Sequence, residues 1–186
     1  FTVSGDSIRF GLLAVKSLGK APIRDIMKER QKGNFKSLYD FCQRIYGKDI
    51  SKRAIENLVK CGAFDGLGAN RKQMLMSFDA ILEQVDNRKR NNLEGQIGFF
   101  ETVPQLKKED EIKFPDVEEF SINEILKLEK EIAGMYLSGH PMAEYNDIAK
   151  KACCTKISEI LNLESNLEDG QRVKVFAIVT KIKLKT

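Results

Sequence analysis

The sequence predicts a mainly α-helical protein with one β-strand near its end. Over residues 10–91, apolar residues recur at intervals of three and four, which is the spacing of one buried helix face. Over residues 173–180 the sequence has a period of two, in which Val173, Val175, Ala177 and Val179 alternate with Lys174, Phe176, Ile178 and Thr180. This period indicates a strand. Between these regions, residues 92–120 contain prolines, glycines and an excess of acids, a composition that is typical of a mobile linker.

Composition excludes several classes of protein. With 42% hydrophobic and 31% charged residues, the chain has the composition of a soluble globular protein. It contains no apolar run of the roughly 20 residues that span a bilayer, and no secretory leader. The chain begins at Phe1 rather than Met, which suggests a piece of a longer protein. Four cysteines without a C-x-x-C pair, and the single His140, predict reduced thiols in the cytoplasm and no metal site.

Local capping signals predict four helices in the first half of the chain. Pro22, Ser37, Ser51 and Asn70 stand at or near the start of an apolar periodic segment, where proline and small polar residues are favoured. The predicted helices are 23–31, 38–45, 52–60 and 71 to about 89.

The second half of the chain predicts shorter elements. Ser121 and Glu124 have the spacing of a capping box, and the helix that they begin is expected to end at residues 138–141. Two more helices are predicted near 143–152 and 157–161. The terminal strand has no partner in this sequence, so it is expected to belong to a sheet that the chain lacks.

Two glycine-centred turns interrupt the helical pattern, Ser17-Leu18-Gly19-Lys20 and Lys60-Cys61-Gly62-Ala63. From Ile8 to Lys36 there are eight Lys or Arg residues and two acids, a local charge of 8 − 2 = +6, whereas the whole chain carries +4. A turn through glycine lets the backbone approach a ligand, and the amides that begin the next helix carry partial positive charge. The pattern predicts a phosphate-binding surface at the first turn.

Six motifs, in this order, resemble those of the alpha subunits of bacterial replicative DNA polymerase III. They are Ile8-Arg9-Phe10-Gly11-Leu12, Lys36-Ser37-Leu38-Tyr39-Asp40-Phe41-Cys42, Cys61-Gly62-Ala63-Phe64-Asp65 with Leu67-Gly68 and Asn70-Arg71, Leu128-Glu129-Lys130-Glu131, Tyr136-Leu137-Ser138-Gly139-His140-Pro141 and Ala177-Ile178-Val179-Thr180. The resemblance implies four regions: a tandem helix-hairpin-helix DNA-binding domain (1–91), an acidic linker (92–120), a helical connector (121–169) and the first strand of a truncated oligonucleotide-binding barrel (170–186).

The resemblance also implies a function. The expected role is to grip the phosphate backbone of template-primer duplex during DNA replication, without sequence preference. The parent protein would be a DNA-directed DNA polymerase that uses Mg²⁺ and contacts other replisome subunits, whereas this piece lacks the palm and is expected to hold no catalytic residue, cofactor or metal. The expected DNA-binding residues are Lys16, Ser17, Leu18, Gly19, Lys20, Arg24, Lys60, Gly62, Ala63, Asn70 and Arg71.

A second motif, Gln96-Ile97-Gly98-Phe99-Phe100, resembles the peptide by which bacterial proteins dock on the sliding clamp. Gly98 and Phe99 differ from the small polar residue and leucine that are usual there. An extended peptide of this kind places two apolar side chains in a pocket while the glutamine sets the register. Gln96, Phe99 and Phe100 are therefore expected to bind the clamp. The alternative is that the two rings fold back on the helical domain.

Two other functions remain open from the sequence. A helix-hairpin-helix DNA repair protein, such as a glycosylase, is one alternative, although neither turn is followed by the loop and catalytic Asp that this class needs. A protein-interaction scaffold with incidental basic charge is the other. The salt dependence of DNA binding would separate the scaffold from a DNA-binding module.

Overall fold

A computed structural model of the chain describes residues 2–93, 112–162, 166–179 and 182–184. The chain forms two compact units, Phe1–Ser138 and Gly139–Thr186. The helix predicted after Ser121 lies in the first unit, so this unit extends beyond the boundary at residue 91 that the sequence suggested.

The first unit begins with a small antiparallel hairpin that the sequence analysis did not predict. Strands β1 (Thr2–Ser4) and β2 (Ser7–Arg9) pair with Val3 opposite Ile8. A short 3₁₀ helix, Leu12–Ala14, follows. The sequence pattern predicted helical structure from residue 10, and the helix before the first glycine turn is of the 3₁₀ type.

Five helices follow in the first unit before the described chain stops at residue 93. They are α1 (Lys20–Gln31), α2 (Leu38–Ile45), α3 (Lys52–Lys60), α4 (Arg71–Met76) and α5 (Phe78–Leu93). The side chains of Ser37 and Ser51 accept hydrogen bonds from the amides three residues on, as N-caps do. The single helix predicted from residue 71 is two helices, because Ser77 leaves the helical conformation with φ −92° and ψ 0°.

The core of the first unit lies between α2, α3 and α5. Helix α2 packs against α1 and α5, and α3 packs against α4 and α6 (Ile122–Ala133). The largest fully buried side chains come from α2 to α6 and include Leu38, Ile45, Ile55, Leu58, Met74 and Ile81. The apolar stripes of the sequence are therefore core, as the helical period predicts.

Residues 112–120, at the end of the predicted linker, belong to the first unit. Ile112 and Phe114 pack against its core. Helix α6 follows, with the capping box of Ser121 and Glu124 in place. The helix ends at Ala133 rather than near residue 138, because Gly134 adopts the left-handed conformation (φ 77°) that ends many helices.

The second unit contains a 3₁₀ helix (Ala143–Tyr145) that leads into α7 (Asn146–Lys151), and α8 (Ile157–Leu161). Over the described part of the strand predicted at residues 173–180, no strand is formed: residues 171–179 have no regular secondary structure. A strand needs a partner, and the described part of this unit supplies one backbone hydrogen bond to residues 173–179, from the Thr155 amide to the Lys174 carbonyl at 2.8 Å.

The mainly α-helical fold class is confirmed. None of the described helices is long and apolar enough to cross a membrane.

Candidate nucleic-acid interface

The first turn, residues 17–20, lies in the tight connection between the 3₁₀ helix and α1. Ser17 adopts a left-handed backbone conformation (φ 66°), which is uncommon for a residue with a side chain. Leu18 is buried in the core, and its amide donates to the Val15 carbonyl at 3.3 Å. Leu18 therefore anchors the turn. Ser17 and Gly19, on either side of it, are exposed.

Contacts from α3 and α6 hold the backbone of Lys16 from two sides. The Lys16 amide donates to the carbonyl of Ile132 in α6 at 3.1 Å. The side-chain amide of Asn57 in α3 donates to the Lys16 carbonyl at 2.8 Å. Asn57 is buried, so this bond satisfies a polar group that would otherwise be costly to bury. Sequence reasoning missed both contacts, because they join residues 41 and 116 positions apart.

The helix that begins after this turn offers positive charge at its N-terminus. Gly19 is the N-cap of α1, no side chain caps the helix, and its first turn contains no acid. Lys16, Lys20 and Arg24 are exposed. Among the described residues, no acidic side chain lies within 4.0 Å of their charged groups. Exposed cations and helix amides together attract anions such as phosphate.

At the other end of α1, the Glu29 carboxylate pairs with three cations. The Glu29 carboxylate lies 2.9 Å from the ammonium groups of Lys32 and Lys48, and 3.6 Å from the Arg44 guanidinium. Hydrogen bonds from Lys32 and Lys48 lower the pKa of Glu29 to about 2. Of the cations between Ile8 and Lys36, Lys32 is therefore engaged by Glu29, whereas Lys16, Lys20 and Arg24 at the first turn are exposed.

The second turn differs from the first, because its amides are used within the protein. Gly62 has a left-handed backbone (φ 80°). The amides of Gly62, Ala63 and Asp65 donate to carbonyls of Val59, Leu58 and Gly62 at 2.9–3.2 Å. The Lys60 ammonium pairs with Glu56 at 2.7 Å. The structure therefore does not bring Lys60, Gly62 and Ala63 into an anion site like that of the first turn.

Arg71, which the sequence assigned to DNA, is buried beneath the second turn. Its exposed fraction is 4%. Its Nε and Nη2 donate to the Asp65 carboxylate at 2.9 and 2.6 Å. Its Nη1 donates to Glu129 at 3.0 Å and to the Lys60 carbonyl at 3.3 Å, and Nη2 also reaches the Ser138 hydroxyl at 3.3 Å. The assignment of Arg71 to phosphate is corrected, because protein acceptors occupy all three guanidinium nitrogens.

Glu129 of α6 is the buried partner of Arg71, and it was not predicted as a site residue. Its carboxylate accepts from Arg71, from the Ser138 hydroxyl, and from the amides of Leu137 and Ser138 at 2.7 and 2.8 Å. Burial alone would raise the pKa of Glu129, but the hydrogen bonds from Ser138, Leu137 and Arg71 outweigh it and lower the pKa. Burial alone would likewise lower the pKa of Arg71, but Asp65 and Glu129 raise it.

Asn70 also has a structural role in place of the predicted DNA contact. Its side chain forms the capping box of α4 with Gln73, and its amide group donates to the Val117 carbonyl at 2.9 Å. The Glu119 carboxylate accepts from the amides of Arg71 and Lys72 at 2.8 and 3.1 Å. An acid of the predicted linker therefore occupies the start of α4, where a helix would otherwise attract an anion.

The clamp-binding prediction, Gln96, Phe99 and Phe100, lies outside the described residues. Within the described part of the chain, no three His, Cys, Asp or Glu side chains come together in a group that could hold a metal ion. The Mg²⁺ expected of the parent protein is therefore assigned no ligands here.

The chain is similar in sequence to known proteins along most of its length. A family profile described as a helix-hairpin-helix motif matches residues 1–74. The chain is 37% identical to the DNA polymerase III subunit alpha of Deinococcus radiodurans over 163 residues, 86% of this chain. It is 36% identical to that of Thermus aquaticus over 185 residues, 98% of this chain, and 32% identical to that of Chlamydia pneumoniae over 189 residues, 100% of this chain.

The chain spans only 12%, 14% and 15% of the length of these three relatives. The similarity nevertheless runs through both compact units, since two of the matches cover 98% or more of this chain. The helix-hairpin-helix match includes both glycine turns and the start of α4. The chain therefore belongs to the family of DNA polymerase III alpha subunits.

Proposed function

We propose that this chain is a DNA-binding region of a replicative DNA polymerase, and that its first turn grips the sugar-phosphate backbone of template-primer duplex. The observation that carries the proposal is the N-terminus of α1, which has no side-chain cap and no acid in its first turn. Exposed Lys16, Lys20 and Arg24 surround it. Helix amides and three cations fit a run of phosphates and carry no base code, so binding is independent of sequence.

The first turn carries this function to a greater extent than the second. At the second turn, the amides, Lys60 and Arg71 are all occupied by groups of the protein itself. We therefore assign phosphate contact to Lys16, Ser17, Gly19, Lys20 and Arg24, and assign support of the fold to Leu18, Asn70 and Arg71.

Fluorescence anisotropy of one labelled duplex at several salt concentrations tests the proposal. Lys20→Glu with Arg24→Glu removes about two phosphate contacts, so the log-log salt slope should become shallower by about 1.8, at about 0.9 per contact. The matched control is Lys28→Glu with Arg30→Glu, which makes the same charge change on exposed residues of the same helix. Equal losses in both variants would show diffuse attraction rather than a site, and would overturn the assignment.

The same titration separates the alternatives. A protein-interaction scaffold would bind duplex with a flat salt response or not at all. A DNA repair glycosylase would release a base from damaged duplex, and a base-release assay measures that directly. Two duplexes of unrelated sequence should bind within about twofold of each other, because phosphate contacts do not read bases.

We also propose that Gln96, Phe99 and Phe100 bind the sliding clamp. The support is the sequence: two adjacent phenylalanines follow a glutamine at the spacing of a clamp-binding peptide. Burial of one Phe side chain contributes about 1.5–3 kcal/mol, so Phe99→Ala with Phe100→Ala should weaken clamp binding at least about tenfold. Surface plasmon resonance on immobilised clamp measures this. If the variant melts far below the unmutated chain and still binds the clamp, the rings of Phe99 and Phe100 are part of the fold.

For the whole protein we propose a Mg²⁺-dependent DNA polymerase that works with other replisome subunits. The support is the name shared by the relatives, DNA polymerase III subunit alpha. This chain alone should extend no primer, because it corresponds to a small part of those relatives and no catalytic residue is proposed on it. Primer extension by the isolated chain in Mg²⁺ would contradict this.

A further inference from the structure

An open apolar groove of about 410 Å³ lies beside the first turn. It is lined by Leu13 from the 3₁₀ helix and by Lys20, Ile23 and Arg24 from α1. The last three residues are spaced at i, i+3 and i+4, so they share one face of the helix. Leu13 is 60% exposed, so its side chain is accessible to a ligand.

The chemistry of this groove is apolar at the floor and cationic at the rim. The floor consists of Leu13, Ile23 and the hydrocarbon stems of Lys20 and Arg24, while the charged groups of these two side chains extend toward water. Neither cation has an acidic partner within 4.0 Å among the described residues. A ligand that fits must therefore place carbon on the floor and negative charge at two points about one helical turn apart, beside Lys20 and Arg24.

A DNA strand has this arrangement, because each deoxyribose is flanked by two phosphates. We infer that the groove receives the deoxyribose of one nucleotide, with the flanking phosphates on Lys20 and Arg24, and that the groove thereby favours DNA over RNA. This rests on the proposed DNA-binding function of the first turn and adds a sugar specificity to it. The residues that set the specificity are Leu13 and Ile23, which touch the sugar.

The preference for deoxyribose over ribose arises from the hydration of the 2′-hydroxyl. Deoxyribose presents C2′ hydrogens to the floor, and ribose presents a hydroxyl that Leu13 and Ile23 cannot hydrogen-bond. A polar group that loses water without gaining a partner weakens binding, and the 2′-hydroxyl is the group by which proteins distinguish the two nucleic acids.

Three duplexes of one sequence test the inference: all deoxyribose, all ribose, and all 2′-fluoro. The 2′-fluoro sugar favours the RNA-like pucker but has no hydroxyl donor, so it separates helix geometry from desolvation of the hydroxyl. The 186-residue chain should bind the deoxyribose and 2′-fluoro duplexes within about threefold of each other, and the ribose duplex at least about fivefold more weakly. Equally weak binding of the ribose and 2′-fluoro duplexes would show that helix geometry decides, and would overturn the inference.

A protein variant provides the second test. Leu13→Asn supplies a hydrogen-bonding partner at the floor, so the ratio of DNA to RNA affinity should fall below about twofold. Met27→Asn is the matched control, because Met27 of α1 is 57% exposed and does not line the groove. Circular dichroism should show both variants folded, as expected for exposed positions. A ratio that Leu13→Asn leaves unchanged overturns the inference.

Loss of phosphate binding and loss of sugar selection give different experimental results. If Lys20→Glu with Arg24→Glu leaves DNA binding intact, the proposed function of the first turn fails, and the inference fails with it. The other case is that this variant loses binding, the three duplexes bind equally well, and Leu13→Asn leaves the ratio of DNA to RNA affinity unchanged. The turn then binds phosphate and the groove does not select the sugar. A groove that serves a protein partner would give the second result.

Discussion

Replacing Glu129 with Gln tests the buried ion pair that joins α6 to the second turn. The Glu129 carboxylate accepts four hydrogen bonds: one oxygen binds Arg71 and the Ser138 hydroxyl, and the other binds the amides of Leu137 and Ser138. Gln keeps the shape of Glu but replaces one carboxylate oxygen with an NH₂ group. Whichever of the two oxygens is replaced, the NH₂ group faces hydrogen-bond donors. At least one of these bonds to Arg71 or to the amides must break, and Arg71 loses a buried counter-charge.

The expected loss of stability is about 3 kcal/mol, since hydrogen bonds to charged groups contribute about 1.5–3 kcal/mol and breaking a buried pair costs about 3–5 kcal/mol. Asp65 remains on Arg71 and keeps the loss near the lower bound. For a chain of this size, that corresponds to a fall in melting temperature of roughly 6–12 °C.

The pH dependence gives a second readout of the same substitution. The pKa of Glu129 is lowered in the folded protein from its ordinary value of 4.5. Its contribution to stability is therefore fully present above pH 4.5 and is lost as the pH falls through the lower folded pKa. The difference in stability between the parent chain and Glu129→Gln should be constant from pH 6 to 7, and should shrink below about pH 4.5.

Urea unfolding followed by far-ultraviolet circular dichroism measures both effects. The matched control is Glu131→Gln, which removes the same charge from an exposed position two residues further along α6. The control should change stability by less than about 0.5 kcal/mol. If Glu129→Gln is as stable as the control at pH 7, the buried pair does not support the fold and the reasoning is refuted.

Two further predictions follow from the backbone and from the thiols. Gly62→Ala should destabilise the chain by at least about 1 kcal/mol more than Gly66→Ala: both glycines have positive φ, but a Cβ at Gly62 would lie 2.2 Å from the Arg71 guanidinium while a Cβ at Gly66 meets nothing within 4 Å. Chemical denaturation of the two variants compares them, and equal losses would contradict the predicted clash. Cys153 should react with iodoacetamide in the folded chain and Cys42 should not, since Cys153 is exposed while burial raises the pKa of Cys42 to about 12. Mass spectrometry of the labelled chain reads this out, and labelling of native Cys42 would show that the core opens.

Local signals determined most of the helices. The predicted ranges 38–45, 52–60 and 157–161 coincide with α2, α3 and α8. Ser37, Ser51 and the capping box at Ser121 act within three residues of the helix that they begin, so the information lies in the local sequence. The first glycine turn and its positive charge were also readable, because the charge belongs to the residues next to the turn.

Long-range contacts decided the rest. Arg71 and Glu129 are 58 residues apart, and Asn57 and Lys16 are 41 residues apart, so no periodicity or capping pattern relates them. The family resemblance assigned Arg71 and Asn70 to DNA. In the fold, Asp65 and Glu129 accept from the Arg71 guanidinium, and the Asn70 side chain donates to the Val117 carbonyl. The residues next to a charged residue in the sequence indicate which turn or helix end its side chain lies near. Only the fold shows whether buried acceptors or solvent meet it there, and a buried charge is retained where partners compensate its lost hydration.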